Sequence, residues 1–286
     1  MDLEPEGIVP PDGDVVVGND PVIREIEKLL GEGQLEVALA AIDHAISGGR
    51  GNAADLTFLR GDCCLGLGRS VEAEEQFRRV LQGDPDCPSS RCWLAMSLYL
   101  QWRFIEAEAA VEAARALPDA LVDADAIAGC LAERRGDYSV ADAMFKSAAL
   151  VAPDKYSVPV RLTRAGFDAE VQRAVGQLPG EFRGCLDRVR VIVEDLPAVP
   201  EAQVGGGDAE ALSPDMLGLF DGVPLPEGGD GAETLGPASI YLYQRNLERL
   251  AHGKSALVQE IRVTLWHELG HYLGFDEEDM GRLGLD

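Results

Sequence analysis

Ala38, Ala73, Ala107 and Ala141 recur at intervals of 35, 34 and 34 residues. Four positions after each stands a larger apolar residue, Ile42, Phe77, Val111 or Phe145. Three further on comes a smaller one, Ala45, Val80, Ala114 or Ala148. These offsets place all three residues of a unit on one face of a helix. Turn residues then close each unit: Gly48-Gly49, Asp84-Pro85, Leu117-Pro118 and Ala152-Pro153. The period has room for two short helices and their turns. First helices are predicted over 56–67, 93–100 and 127–132, and second helices over 71–81, 105–116 and 140–151. One such hairpin cannot bury its apolar face alone, so the period dictates a stack of helical hairpins.

Gly61, Ala95 and Gly129 supply a small residue at matching positions of the first helices. With them the pattern resembles the tetratricopeptide repeat, although the tryptophan, leucine and tyrosine of that motif's first helix are mostly replaced. The resemblance implies that residues 21–155 form a TPR-like α-helical repeat domain that recruits a protein or peptide partner. Residues 1–20, rich in Pro, Gly and acid, read as a flexible leader.

The period stops at Lys155-Tyr156-Ser157-Val158-Pro159. Beyond it the pattern changes to a small α+β domain over 165–286. An amphipathic helix is expected over 167–178 and a β-branched strand over 189–193. Short strands are expected over 217–223 and 238–243, and a helical turn over 246–250. Pro- and Gly-rich loops cover 198–214 and 226–236. Ser255 is placed to cap a long last helix ending near Leu273.

The net charge of −25 repels nucleic acid and anionic membranes, and neither is expected as a partner. The acidic first residues lack the basic and apolar regions of a signal peptide, and no apolar run is long enough to span a bilayer. Six cysteines, Cys63, Cys64, Cys87, Cys92, Cys130 and Cys185, show no C-x-x-C pairing. They fit buried thiols in a reducing cytoplasm, the expected location.

The last predicted helix carries His267-Glu268-Leu269-Gly270-His271. Histidines four residues apart stand one turn apart on one helix face, the arrangement that two zinc ligands need. Glu268 would then act on a water at the metal. Gly274 is suited to the left-handed turn that ends the helix and returns the chain toward the histidines. A hydrolytic zinc needs a third protein ligand, and only fifteen residues follow His271. Glu277 is the first choice, with Asp276, Asp279 and the distant His252 as alternatives.

The run from His267 to Glu277, with Leu283-Gly284 and the upstream Leu178-Pro179-Gly180-Glu181-Phe182 and Val191-Ile192-Val193-Glu194-Asp195-Leu196-Pro197, resembles the minimal zincin-like metallopeptidases of bacteria. That resemblance implies Zn2+ held by His267, His271 and Glu277, with Glu268 as the catalytic acid/base. It also implies that residues 240–243 form an edge strand beside the cleft, on which a peptide could lie. Glu268 would take a proton from a zinc-acidified water and deliver it to the leaving amine. Tyr241, Tyr243, Tyr272 and His252 are candidates for stabilising the oxyanion. The alternative is an interaction scaffold whose zincin domain binds metal without cleaving peptides.

Overall fold

The computed structural model describes residues 20–178, 182, 188–200, 212–224, 238–275 and 280–282. The leader up to residue 19, Cys185, loop 226–236, most of loop 198–214 and the acids Asp276, Glu277 and Asp279 lie outside them. The described chain separates into two compact units, one ending at Tyr156 and one beginning at Ser157. No helix among the described residues is long and apolar enough to cross a membrane.

The first unit is all helical: α1 (Pro21–Gly31), α2 (Leu35–Ser47), α3 (Ala53–Gly66), α4 (Ser70–Gly83), α5 (Pro88–Leu100), α6 (Phe104–Arg115), α7 (Val122–Arg134) and α8 (Tyr138–Val151). Starts are set by local chemistry. Asp20 accepts a bond from the Val22 N–H at 2.9 Å ahead of Pro21, and Asn52 accepts from Ala54 N–H at 2.8 Å. Consecutive helices pair into four hairpins, and the repeated alanines are fully buried between them.

The small first-helix positions have a steric cause. A Cβ on Gly61 would lie 2.8 Å from the Phe77 ring, and one on Gly129 would lie 2.6 Å from the Phe145 ring. The intervening hairpin carries Ala95 and Val111 at the equivalent positions, so a larger first-helix residue goes with a smaller second-helix one. Gly129→Ala is therefore expected to destabilise the unit by on the order of 1 kcal/mol, overpacking outweighing the gain in helix propensity. Adding Phe145→Val, which reproduces the Ala95/Val111 combination, should cost less than the two single changes sum to. Urea denaturation of the three variants measures that coupling.

The turns inside the hairpins hold a further period. Gly33, Gly68 and Gly136 adopt left-handed φ of 69°, 70° and 78°, and the third hairpin puts Trp102 there at φ 61°. A bulky residue in this region costs about 1–2 kcal/mol. The offset is visible: Trp102 is 7% exposed, its ring lies 5.9 Å from Phe104, and the Arg134 guanidinium stands 5.2 Å from it. The described cysteines, Cys63, Cys64, Cys87, Cys92 and Cys130, are free thiols. Burial pushes the Cys63 thiol up to about 12, which makes it unreactive.

The second unit contains α9 (Arg164–Gln177), β1 (Val189–Glu194), β2 (Gly218–Asp221), β3 (Ala238–Tyr243), α10 (Gln244–Leu250) and α11 (Lys254–Leu273). The sheet order is β1-β3-β2, with β1 parallel and β2 antiparallel to β3. Phe167 and Val171 of α9, Val189 and Val193 of β1, Ile240 and Leu242 of β3 and Ile261 and Leu265 of α11 share one core. This corrects the edge-strand expectation for residues 240–243: β3 is bonded on both sides. Among the described residues, the sheet edge nearest α11 belongs to β2.

Ser255 does not cap α11. Gly253 holds that position at φ 97°, and no side-chain capping bond forms there. Instead α10 ties the unit together through Glu248, whose side chain is fully buried. Its carboxylate accepts from Leu162 N–H and Gln244 Nε2 at 2.8 Å each, and from Arg161 and Arg245 at 3.1 and 3.2 Å. Gln244 in turn donates to the Leu162 carbonyl at 3.0 Å. Next to it, Asn246 donates to the carbonyls of Pro214 and Met216 at 2.9 and 2.7 Å, and Arg249 pairs with Asp215 at 2.7 Å. These bonds fasten the segment that leads into β2.

Candidate metal centre

The helix α11 carries both histidines and is buried along Leu257, Ile261, Leu265 and Leu269, which fixes its rotation against the sheet. His267 and Glu268 are each 8% exposed. The Nε2 atoms of His267 and His271 lie 3.1 Å apart, with ring planes 88° to one another. Two nitrogens bound tetrahedrally to one zinc at about 2.0–2.1 Å stand roughly 3.3 Å apart. The donor pair therefore fits two corners of a zinc site with little movement.

The Glu268 side chain rests on β2. A Cβ on Gly218 would fall 2.7 Å from Thr264 Cγ2, 2.9 Å from Glu268 Cγ and 3.0 Å from Glu268 Oε1. Glycine at this position is thus what lets the carboxylate lie between helix and strand. Two residues on, Phe220 packs its ring 5.8 Å from that of Tyr272, next to His271. Nothing in the spacing of residues 217–223 marked Gly218 as part of the site.

The helix ends as expected at Gly274, φ 81°, whose N–H bonds the His271 carbonyl at 3.1 Å. Phe275 N–H then bonds the Gly270 carbonyl at 3.0 Å. From beyond the acidic segment, Met280 is fully buried, and its Sδ would be 2.7 Å from a Cβ on Gly270. The residues that flank 276–279 on both sides thus pack onto one residue of the helix that carries the histidines. Glu277, Asp276 and Asp279 themselves lie outside the described residues. Among the described residues, no group of three or more His, Cys, Asp or Glu is arranged to hold a metal ion.

The other site candidates divide by geometry. Gly218 pairs with Leu242 and Phe220 with Ile240, and this is the face turned to α11. Tyr241 and Tyr243 alternate to the opposite face, away from the histidines, so neither is placed to stabilise an oxyanion there. Tyr272 stays on the helix of the histidines, 3% exposed. His252 follows α10 and is exposed, on the loop before α11.

Residues 186–285 match the family model of zincin-like metallopeptidases. Residues 24–88 and 67–121 match that of the tetratricopeptide repeat. A search of curated proteins gave no significant match. Among solved structures, the chain is similar to the crystal structure of YrrB, titled a TPR protein with an unusual peptide-binding site. The two are 19% identical with a TM-score of 0.39, over 46% of this chain and 68% of YrrB. The chain thus joins N-terminal tetratricopeptide repeats to a C-terminal domain of the zincin-like metallopeptidase family.

Proposed function

We propose that this chain is a zinc-dependent metallopeptidase of the cytoplasm. On this reading the repeats, residues 21–155, recruit a protein substrate or partner for the catalytic domain, residues 165–286. The observation that carries the proposal is the convergence of the His267 and His271 Nε2 atoms at 3.1 Å, beside a Glu268 seated against the edge strand. His267 and His271 would hold the metal, with Glu277 as the third ligand. Bound there, zinc supplies a Lewis acid that polarises a peptide carbonyl and acidifies water. Glu268 takes the water proton and returns it to the leaving amine. The 8% exposure of Glu268 keeps bulk water from competing for that proton.

An extended peptide has one sheet edge available near these groups. Among the described residues β2 has β3 as its only strand neighbour. A peptide adding to the other side of β2 runs past Gly218, where the Glu268 carboxylate lies. The intact Glu268 favours an enzyme over a metal-binding scaffold, because a structural zinc has no use for it. Incubation with a peptide library should give cleavage that a chelator abolishes and added zinc restores. Absence of cleavage from the zinc-loaded protein would leave the scaffold reading.

A further inference from the structure

β2 turns alternate main-chain groups to its two sides. The Tyr243 N–H donates to the Leu217 carbonyl at 2.9 Å, and these two residues continue the register that pairs Gly218 with Leu242. An antiparallel ladder bonds every second residue of a strand in this way. Leu219 and Asp221 therefore direct their N–H and C=O groups to β3, and Gly218 and Phe220 direct theirs to the outer edge. Among the described residues no strand lies there. The side-chain positions of Gly218 and Phe220 both face α11. A Cβ on Gly218 would meet Thr264 and Glu268, and the Phe220 ring lies 5.8 Å from that of Tyr272. Thr264, Glu268 and Tyr272 follow one another by single turns on one helix face. Helix and strand thus run side by side from the carboxylate to the aromatic pair. Tyr272 is buried there and Phe220 half-buried. A Cβ on Gly222 would stand 3.1 Å from Phe220 Cζ, so that glycine leaves the ring room along the strand.

We infer that Phe220 determines substrate specificity, selecting a large apolar side chain on the N-terminal side of the bond to be cut. This subsite depends on the reading of the domain as a peptidase. A peptide lying antiparallel to β2, the more stable pairing, bonds through its main chain to Gly218 and Phe220. Its residue opposite Gly218 comes up against Glu268. Two residues earlier in the peptide stands the one opposite Phe220. Its side chain points to the same face, with the two Cβ atoms about 5.5 Å apart. There it meets the half-buried ring. An aromatic or leucine side chain buries apolar area on that ring that alanine or a charged residue cannot.

The test is fluorescence anisotropy on the zinc-loaded full chain carrying Glu268→Gln, which holds a peptide without cutting it. Two labelled peptides are compared, Ala-Gly-Ala-Phe-Ala-Gly-Ala-Gly and its counterpart with Ala in place of Phe. The first should bind about tenfold more tightly, the scale of a buried aromatic pair. Adding Phe220→Ala should bring that ratio close to one. Leu219→Ala, on the opposite face of the same strand, should leave it unchanged. If Phe220→Ala does not fold, Phe220→Leu, which keeps an apolar contact with Tyr272, should still lower the ratio. A ratio near one in the parent chain would overturn the inference, as would a ratio indifferent to changes at Phe220. The expected ratio without cleavage by the zinc-loaded wild type would keep the subsite and remove the peptidase reading. Equal cleavage and equal binding of the two peptides would do the reverse.

Discussion

Glu268→Gln should keep zinc bound and lower peptide hydrolysis by about 10²–10⁴-fold, the range that loss of a general base produces. The amide has the size of the carboxylate, so it fits the space between Gly218 and Thr264 without disturbing α11. It cannot take a proton. His267 and His271, one residue before and three after, remain free to hold the metal. Zinc content and turnover measured on the same preparation separate the two roles. Turnover within a few-fold of wild type at full zinc loading would remove Glu268 from the mechanism.

Glu248→Ala should destabilise the C-terminal unit by about 3–5 kcal/mol, the cost of removing one member of a buried charge network. The carboxylate is fully buried and receives bonds from Arg161, Arg245, Gln244 and the Leu162 N–H. Its loss takes the shared acceptor away from two guanidiniums, the Gln244 amide and a backbone donor. The same bonds hold the chain at Leu162 against α10, adjoining the Asn246 contacts that hold the approach to β2. Zinc binding and hydrolysis should therefore fail together at a denaturant concentration the wild type tolerates. A variant as stable as wild type in urea would show that Glu248 is not what fastens these segments.

The helical unit was largely legible because its constraint is local and repeated. Ala38, Ala73, Ala107 and Ala141 are each fully buried between packed helices, and that recurs once per hairpin. The glycines Gly33, Gly68 and Gly136 carry the same period in the turns and were available to the same reading. Trp102 hid it by standing where the fourth glycine belongs, held by contacts with Phe104 at the start of α6 and with Arg134 of α7. His267 and His271 were legible for a similar reason, since one helical turn fixes their spacing.

The sheet order was not. Residues 240–243 are nearly all buried, which is how a central strand reads as well as how a strand under a helix reads. Which strand lies at the edge depends on pairing between β2 and β1 with β3, across stretches of sequence with no periodic mark. Gly218 and Met280 were missed because each matters through a contact with a distant residue, Glu268 and Gly270 respectively. The failure of Ser255 as a cap has a local cause: Gly253, at φ 97°, begins the helix earlier than the serine would.

Both the metal binding and the hydrolysis depend on a zinc site built on His267 and His271. The decisive measurement is the zinc content of the full chain purified without added metal, by plasma mass spectrometry, alongside His271→Ala. One zinc per chain is expected in the wild type, and its loss in the variant. A wild type that neither carries zinc nor takes it up on titration would contradict it, and so would a variant that keeps a full complement.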